Sequence, residues 1–422
     1  MRLSHISWNL AGLTLPLLVA AVTVPQLIQK LGNERFGLLA LAWGLIGYAG
    51  ALDLGIGRAL TQLVSSLRGA DNLADIPDVL ATARRITLVA GLVGGILVAA
   101  TALLGGYAWI DAHGTPPLEI RSAMILLAIA LPAQAMSATY RGMNEAFLNF
   151  KGISLLRAGL GVINFGGPYL VTLYTNQLPW LIATLVVSRV LALFAFDYLA
   201  ARCMRNGGVG YKGAYSSRIA RSLFAFGGWV TVSSIVSPIL VQADRFVIAS
   251  VISAAAVTVY VLPYEMVTQS LILVSSVSSV MFPTLSQLMR ERPGEWRPYF
   301  RRWLFIMVGL MAVVSILMAL LLPDVLLWWI KDHLKSESIV IGQVLCLGVF
   351  ANAIGSMFYA LIQADGRASL TATLHMIELP IFVVSLYFLL NTYGIHGAAW
   401  AWVGRMIFDA SALAYYSRMR NV

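Results

Sequence analysis

Two apolar runs, residues 369–390 and 398–416, follow one another across a short polar break at 391–397. Each is about 20 residues long, enough at about 1.5 Å per residue to cross roughly 30 Å of hydrocarbon. Helices joined by so short a loop are antiparallel neighbours. Yet the first run carries His375, Glu378 and Pro380, and the second carries Arg405 and Asp409. Glu378 and Arg405 fall near the middle of their runs, so both belong near the bilayer midplane and within reach of each other. A charge at that depth is costly, and chains keep one there mainly to pair it or to handle something polar.

The pattern occurs twice. Residues 180–200 form a similar run around Arg189, with Asp197 after it. Val187-Ser188-Arg189-Val190 overlays Val403-Gly404-Arg405-Met406, and Tyr140 and Tyr359 precede the two helix pairs. The arginines are offset by 216 residues and the tyrosines by 219. A nearly constant offset of about half the chain suggests two copies of one unit. The expected division is an N-terminal lobe over 1–205, a basic cytoplasmic linker and hinge at 206–221, and a C-terminal lobe over 222–422.

Composition agrees with a lipid environment. Hydrophobic residues make up 59% and charged residues 11%, against about 45–50% and about 25% in an ordinary soluble domain. The expected fold is therefore an all-α integral membrane protein. About twelve spans can be drawn, near 8–29, 37–57, 86–108, 120–140, 154–174, 180–201, 222–250, 256–283, 303–322, 339–361, 369–390 and 397–416. With the N-terminus in the cytoplasm, 21 of the 29 lysines and arginines fall on the cytoplasmic side and 5 on the other. This is the positive-inside asymmetry. It accounts for the net charge of +10 without nucleic acid, and it puts both termini in the cytoplasm. The apolar start after Met1-Arg2 reads as a retained first helix rather than a cleaved signal. Residues 58–85 read as an amphipathic helix on the inner leaflet. Cys203 and Cys346 lie far apart and suggest neither a disulfide framework nor a metal site.

Five arginines suggest a path for an anion. Arg58 and Arg141 belong at the inner mouth, Arg189 and Arg405 at mid-depth, and Arg245 further out. Arginine stays charged and offers a planar fork to phosphate oxygens. Glu378, Glu265 and Asp244 are the candidate carboxylates for coupling to protons or sodium. The plainer reading stands beside this one: Arg405 with Glu378, Asp244 with Arg245, and Arg189 with Asp197 as neutralised pairs that hold helices together. His375 and His396 read as packing or interfacial residues, and the tryptophans mostly as interfacial anchors. No Gly-x-x-x-x-Gly-Lys-Ser/Thr, His-Glu-x-x-His or Gly-x-Ser-x-Gly occurs. The reading is a carrier without cofactors, not an enzyme.

Four groups of residues carry a family resemblance. They are Leu31-Gly32-Asn33-Glu34-Arg35-Phe36-Gly37 with Asp53-Leu54-Gly55-Ile56-Gly57-Arg58; Tyr140-Arg141-Gly142; Asp244-Arg245 with Tyr260 and Pro263; and Glu378-Leu379-Pro380 with Gly394-Ile395-His396-Gly397 and Arg405. With them the whole chain resembles the polysaccharide-transport, Wzx-like O-antigen flippases of the multidrug/oligosaccharidyl-lipid/polysaccharide superfamily. That resemblance implies two six-helix lobes around a central cavity and alternating access. It implies a polyprenyl-diphosphate-linked oligosaccharide of the undecaprenyl type as cargo, moved from the inner to the outer leaflet of the bacterial cytoplasmic membrane. A glycan polymerase and chain-length machinery are the implied partners. The alternatives are a multidrug or small-cation exporter of the same architecture, which would favour an acidic or aromatic cavity, and a membrane glycan polymerase, which would need a large external loop.

Overall fold

The computed structural model describes residues 3–48, 53–69, 72–291, 294–331, 334–365 and 367–418. Arg2, Arg292 and Arg420, counted above on the cytoplasmic side, lie outside them. The described chain is α-helical throughout: α1 (Leu3–Tyr48), α2 (Ile56–Gly69), α3 (Ile76–Leu103), α4 (Pro117–Ala146), α5 (Phe150–Val171), α6 (Leu178–Asn206), α7 (Ser217–Val251), α8 (Ala254–Thr268), α9 (Leu271–Glu291), α10 (Trp296–Ile330), α11 (Ser336–Ala364), α12 (Ala368–Tyr393) and α13 (Ile395–Arg418).

Eight helical stretches among the described residues are long and apolar enough to cross a membrane. Many of their apolar side chains face outward. On α3, Val89, Val93, Ile96 and Leu97 are each more than half exposed; on α10, so are Phe305, Val313, Ile316, Leu317, Leu320 and Leu321. In water such continuous patches would drive association; against lipid tails they are the expected surface. This is an all-α membrane protein.

Several expected spans are corrected in detail. Of the second span, drawn over 37–57, the helix is described as far as Tyr48, residues 53–55 form a turn, and α2 begins at Ile56. The expected inner-leaflet helix over 58–85 is instead α2 followed by the start of α3. Its apolar stripe is not free to enter lipid, because Ile56, Leu60 and Val64 are fully buried in a core shared with Tyr140, Met143 and Phe196. The eighth span, drawn as one helix over 256–283, is interrupted at Gln269-Ser270 between α8 and α9. The polar break at 391–397 shrinks to Gly394 (φ 57°) between α12 and α13. Within α1, Gly32 (φ 71°, ψ 169°) is non-helical and separates two helices, at the place where the first two spans were expected to part.

Contacts divide the chain within α7 into two units, Met1–Pro238 and Ile239–Val422. In the first, α4 packs against α2, α3 and α6, while α5 packs against α1 and α6. A polar knot closes one end. Arg35 donates to Glu119 at 3.0 Å, Glu119 accepts from the Leu178 amide at 3.2 Å, and Glu34 accepts from Gly114 and Thr115 at 2.9 and 2.6 Å. The segment 206–221, read as a hinge, is strapped to this unit. The Ala214 amide donates to Asp78 at 2.7 Å and the Ser216 amide to Thr82 at 3.0 Å. Tyr211 donates its hydroxyl to Asp197. Burial first, and then that carboxylate, pushes the Tyr211 hydroxyl well above its ordinary range, so it remains a donor at neutral pH. In the second unit, α11 packs against α8, α9, α10 and α13, and α12 packs against α13.

Close helix contact in the first unit depends on small residues. A Cβ on Gly91 of α3 would lie 2.6 Å from the Pro132 Cα, and one on Gly95 would lie 2.7 Å from the Ala128 carbonyl oxygen. Both obstacles are backbone, so neither can swing aside. Gly91→Val and Gly95→Val are each expected to cost about 1–3 kcal/mol through overpacking. The check is thermal unfolding of the detergent-solubilised variants.

Candidate functional site

Three helices of the first unit each contribute one face. Gln134, Ser137 and Arg141 stand three and then four residues apart on α4. Arg157 and Asn164 lie on one face of α5, with Gly161 between them. Arg189, Ala192 and Phe196 do the same on α6. Such spacings align side chains on one face of a helix. The three faces converge on a pocket of about 250 Å³ whose polar lining is Gln134, Ser137, Arg141, Arg157, Asn164 and Arg189.

Three of these six are guanidiniums, and no carboxylate lines the pocket among the described residues. Arg189 donates from Nη2 to Asn164 Oδ1 at 3.0 Å, while its buried Nε has no partner. Asn164 is in turn fixed from α1, because its backbone oxygen accepts from the Trp43 indole at 3.0 Å. Arg141 has Glu145 one turn away at 3.8 Å, on a side chain 45% exposed. Arg157 is exposed and in no ion pair among the described residues. The expected pairing of Arg189 with Asp197 does not form, since Asp197 is engaged by Tyr211. The pocket therefore keeps nearly all of its positive charge. Its guanidinium N–H groups can take several oxygens of an anion at once.

Sequence reading brought Arg141 and Arg189 forward but counted Arg157 with the cytoplasmic loops. The signal was present: Arg157, Gly161 and Asn164 recur at four and three residues, a stripe pointing the same way as the arginine. Arg58 lies on the exposed face of α2 and does not line the pocket.

The second unit repeats the geometry with a different charge. Arg405 on α13 donates from Nε to Glu378 on α12 at 3.1 Å and from Nη1 to the Leu240 carbonyl at 2.8 Å. Arg189 reaches back to α5 in the same way that Arg405 reaches back to α12. The two partners, Asn164 and Glu378, are offset by 214 residues and the arginines by 216. An amide leaves Arg189 its charge, whereas a carboxylate neutralises Arg405. Arg245 is also neutralised, by Glu265, and lies 5.5 Å from the Tyr264 ring centre. Asp244 pairs with neither arginine side chain. It accepts from the Tyr260 hydroxyl at 2.9 Å and from the Arg245 amide at 2.7 Å.

Beside the Arg405 pair, donor atoms of His375, Glu378 and Asp409 lie within 4.8 Å of one another. Glu378 Oε2 and Asp409 Oδ1 are buried without hydrogen-bond partners. Two carboxylates against one guanidinium leave room for a proton or a small cation. The His375 ring stacks on Tyr359, at 6.3 Å between centres and 4° between planes.

The family described as polysaccharide biosynthesis protein matches residues 3–289, more than half of the chain and all three pocket arginines. The chain belongs to that family. Among its relatives, a Shigella flexneri protein named "Putative O-antigen transporter" is 29% identical over 98% of this chain and 97% of its own. Two solved structures share the fold. One is an inward-facing multidrug resistance MATE family transporter of the MOP superfamily, with a TM-score of 0.77, 14% identity, and 98% of each chain covered. The other is a MOP superfamily transporter from Pyrococcus furiosus, described as having a binding pocket of reverse polarity, with a TM-score of 0.64, 14% identity, and 98% of this chain and 93% of that one covered.

Proposed function

We propose that this chain is a flippase for polyprenyl-diphosphate-linked oligosaccharide. It carries the cargo from the inner to the outer leaflet of the bacterial cytoplasmic membrane by ion-coupled alternating access, with both termini in the cytoplasm. The observation that carries this reading is the pocket of Arg141, Arg157 and Arg189 with no carboxylate on its lining. A diphosphate presents several anionic oxygens in a small volume, and each guanidinium offers a two-pronged donor to them. Inside an apolar bundle these contacts are strengthened by poor screening. The O-antigen transporter name of the Shigella flexneri relative and the MATE-like fold support the same reading.

The roles then divide by charge. Arg141, Arg157 and Arg189 hold the diphosphate. Arg58, exposed on α2 and off the pocket lining, takes no part in holding it. Arg405 and Arg245 stay with Glu378 and Glu265 and hold helices together. Of the three carboxylates suggested for coupling, Asp244 and Glu265 are occupied by Tyr260 and Arg245. Glu378, with an unpartnered oxygen beside Asp409, is the coupling point for a proton or sodium.

The test is complementation of a cell lacking its flippase. Wild type restores surface glycan. Arg157→Gln and Arg189→Gln, expressed at wild-type level, are expected to cut it tenfold or more, and full restoration by both contradicts the reading. A MATE-like exporter of small cations is the second reading, favoured by the fold. It predicts drug sensitivity on deletion of the gene, whereas the arginine pocket predicts loss of surface glycan without it.

A further inference from the structure

We propose that Asn164 sets the pocket's preference for a diphosphate over a singly phosphorylated lipid, by being an amide where a carboxylate would fit. This rests on the flippase reading and adds which residue decides the charge that the pocket accepts. Asn164 Oδ1 accepts from Arg189 Nη2 at 3.0 Å, and both residues line the pocket. Aspartate has the same shape and would meet the same nitrogen with a negative charge. The second unit, taken by itself, shows that outcome. There Glu378 accepts from Arg405 Nε at 3.1 Å, and the two side chains are 2% and 10% exposed.

The amide is held where it stands. The Asn164 backbone oxygen accepts from the Trp43 indole at 3.0 Å. Trp43 is in turn set edge-on against Phe36 and Phe165, at 5.8 and 5.1 Å between ring centres. Three residues earlier on α5, a Cβ on Gly161 would lie 2.3 Å from the Pro16 Cγ, so α1 and α5 are in close contact there.

The amide does two things that a carboxylate would not. Its oxygen steadies the Arg189 fork and leaves the guanidinium charge uncancelled. With Oδ1 given to Arg189, its Nδ2 makes no hydrogen bond among the described residues and remains a donor for a phosphate oxygen. An acid at this position would cancel one positive charge and replace that donor by an acceptor that repels the ligand. With Arg141, Arg157 and Arg189 all charged, the pocket suits the more anionic head. A phosphate monoester carries about −1.5 to −2 at pH 7, and a diphosphate carries more. Each added ligand charge is therefore rewarded more by the native pocket than by one that has lost a cation.

The experiment titrates the purified full chain in detergent with citronellyl diphosphate and with citronellyl monophosphate. Wild type is expected to prefer the diphosphate tenfold or more. Asn164→Asp should weaken the diphosphate tenfold or more and the monophosphate by less, so that the preference falls at least threefold. Asn164→Glu, whose longer acid reaches the same guanidinium, should lower the preference likewise and decides the matter if the aspartate variant does not fold. Asn164→Ala removes the acceptor but adds no charge, and should keep the preference within twofold of wild type while both probes weaken together. A merely structural role for Asn164 would move both probes alike in every variant. No preference in wild type, an unchanged preference in the acidic variants, or an equal fall in Asn164→Ala overturns the role of Asn164 while the flippase reading stands. Failure of wild type to bind either probe, or diphosphate binding indifferent to both Arg157→Gln and Arg189→Gln, overturns the flippase reading and the role of Asn164 with it.

Discussion

Replacing Glu378 with leucine lowers the unfolding free energy by about 3–5 kcal/mol, because it strands the Arg405 guanidinium in the interior. The two side chains are 2% and 10% exposed and 3.1 Å apart. Arg405 also gives Nη1 to Leu240 and lies 5.1 Å from the Phe382 ring centre, so in that variant it cannot swing to solvent without losing both contacts. Arg405→Leu is expected to cost as much, since it leaves the buried Glu378 without its cation. The double variant Glu378→Leu/Arg405→Leu should recover most of the loss, because an apolar pair of similar volume avoids the desolvation that the ion pair must overcome. Thermal unfolding of the four proteins in detergent gives the cycle. If the double variant is as unstable as the two single losses added together, the residues do not act as a pair.

The second large effect concerns ligand. Arg157→Gln and Arg189→Gln should each weaken the binding of citronellyl diphosphate by about 10–100-fold, the weight of one charge-assisted hydrogen-bonding group. Arg189→Lys should fall between wild type and glutamine. It keeps the charge but loses the fork that spans Asn164 and the ligand. Arg58→Gln should change affinity less than twofold, because Arg58 does not line the pocket. Titration of the purified proteins checks all four. Wild-type affinity in both glutamine variants would remove the diphosphate from this pocket.

Much of this was legible in the sequence because lipid imposes simple rules. Apolar runs of about 20 residues announce helices, and charges within them announce pairs or sites. The reach of Arg405 to Glu378 followed from their depth alone. What depended on the partner helix was not legible. Whether Arg189 would be neutralised turned on Asn164, an ordinary amide 25 residues upstream. Arg157 falls in the first turn of the fifth span as drawn, 154–174, where hydropathy does not distinguish a charge at the membrane edge from one that lines a pocket. The break at Gln269-Ser270 was missed because an apolar run gives no period that distinguishes one helix from two. The inner-leaflet reading of residues 58–85 failed for a related reason. An amphipathic stripe shows that one side is buried, but not whether lipid or Tyr140 and Met143 bury it.

The proposed transport depends on an anion held by three guanidiniums in the first unit. Its most direct test is transport in proteoliposomes of a short-chain prenyl diphosphate sugar carrying a fluorophore, scored by its arrival in the opposite leaflet. Wild type and Arg58→Gln should translocate it at closely similar rates, and the triple variant Arg141→Gln/Arg157→Gln/Arg189→Gln should be slower by tenfold or more. Translocation at the wild-type rate by the triple variant would contradict the account.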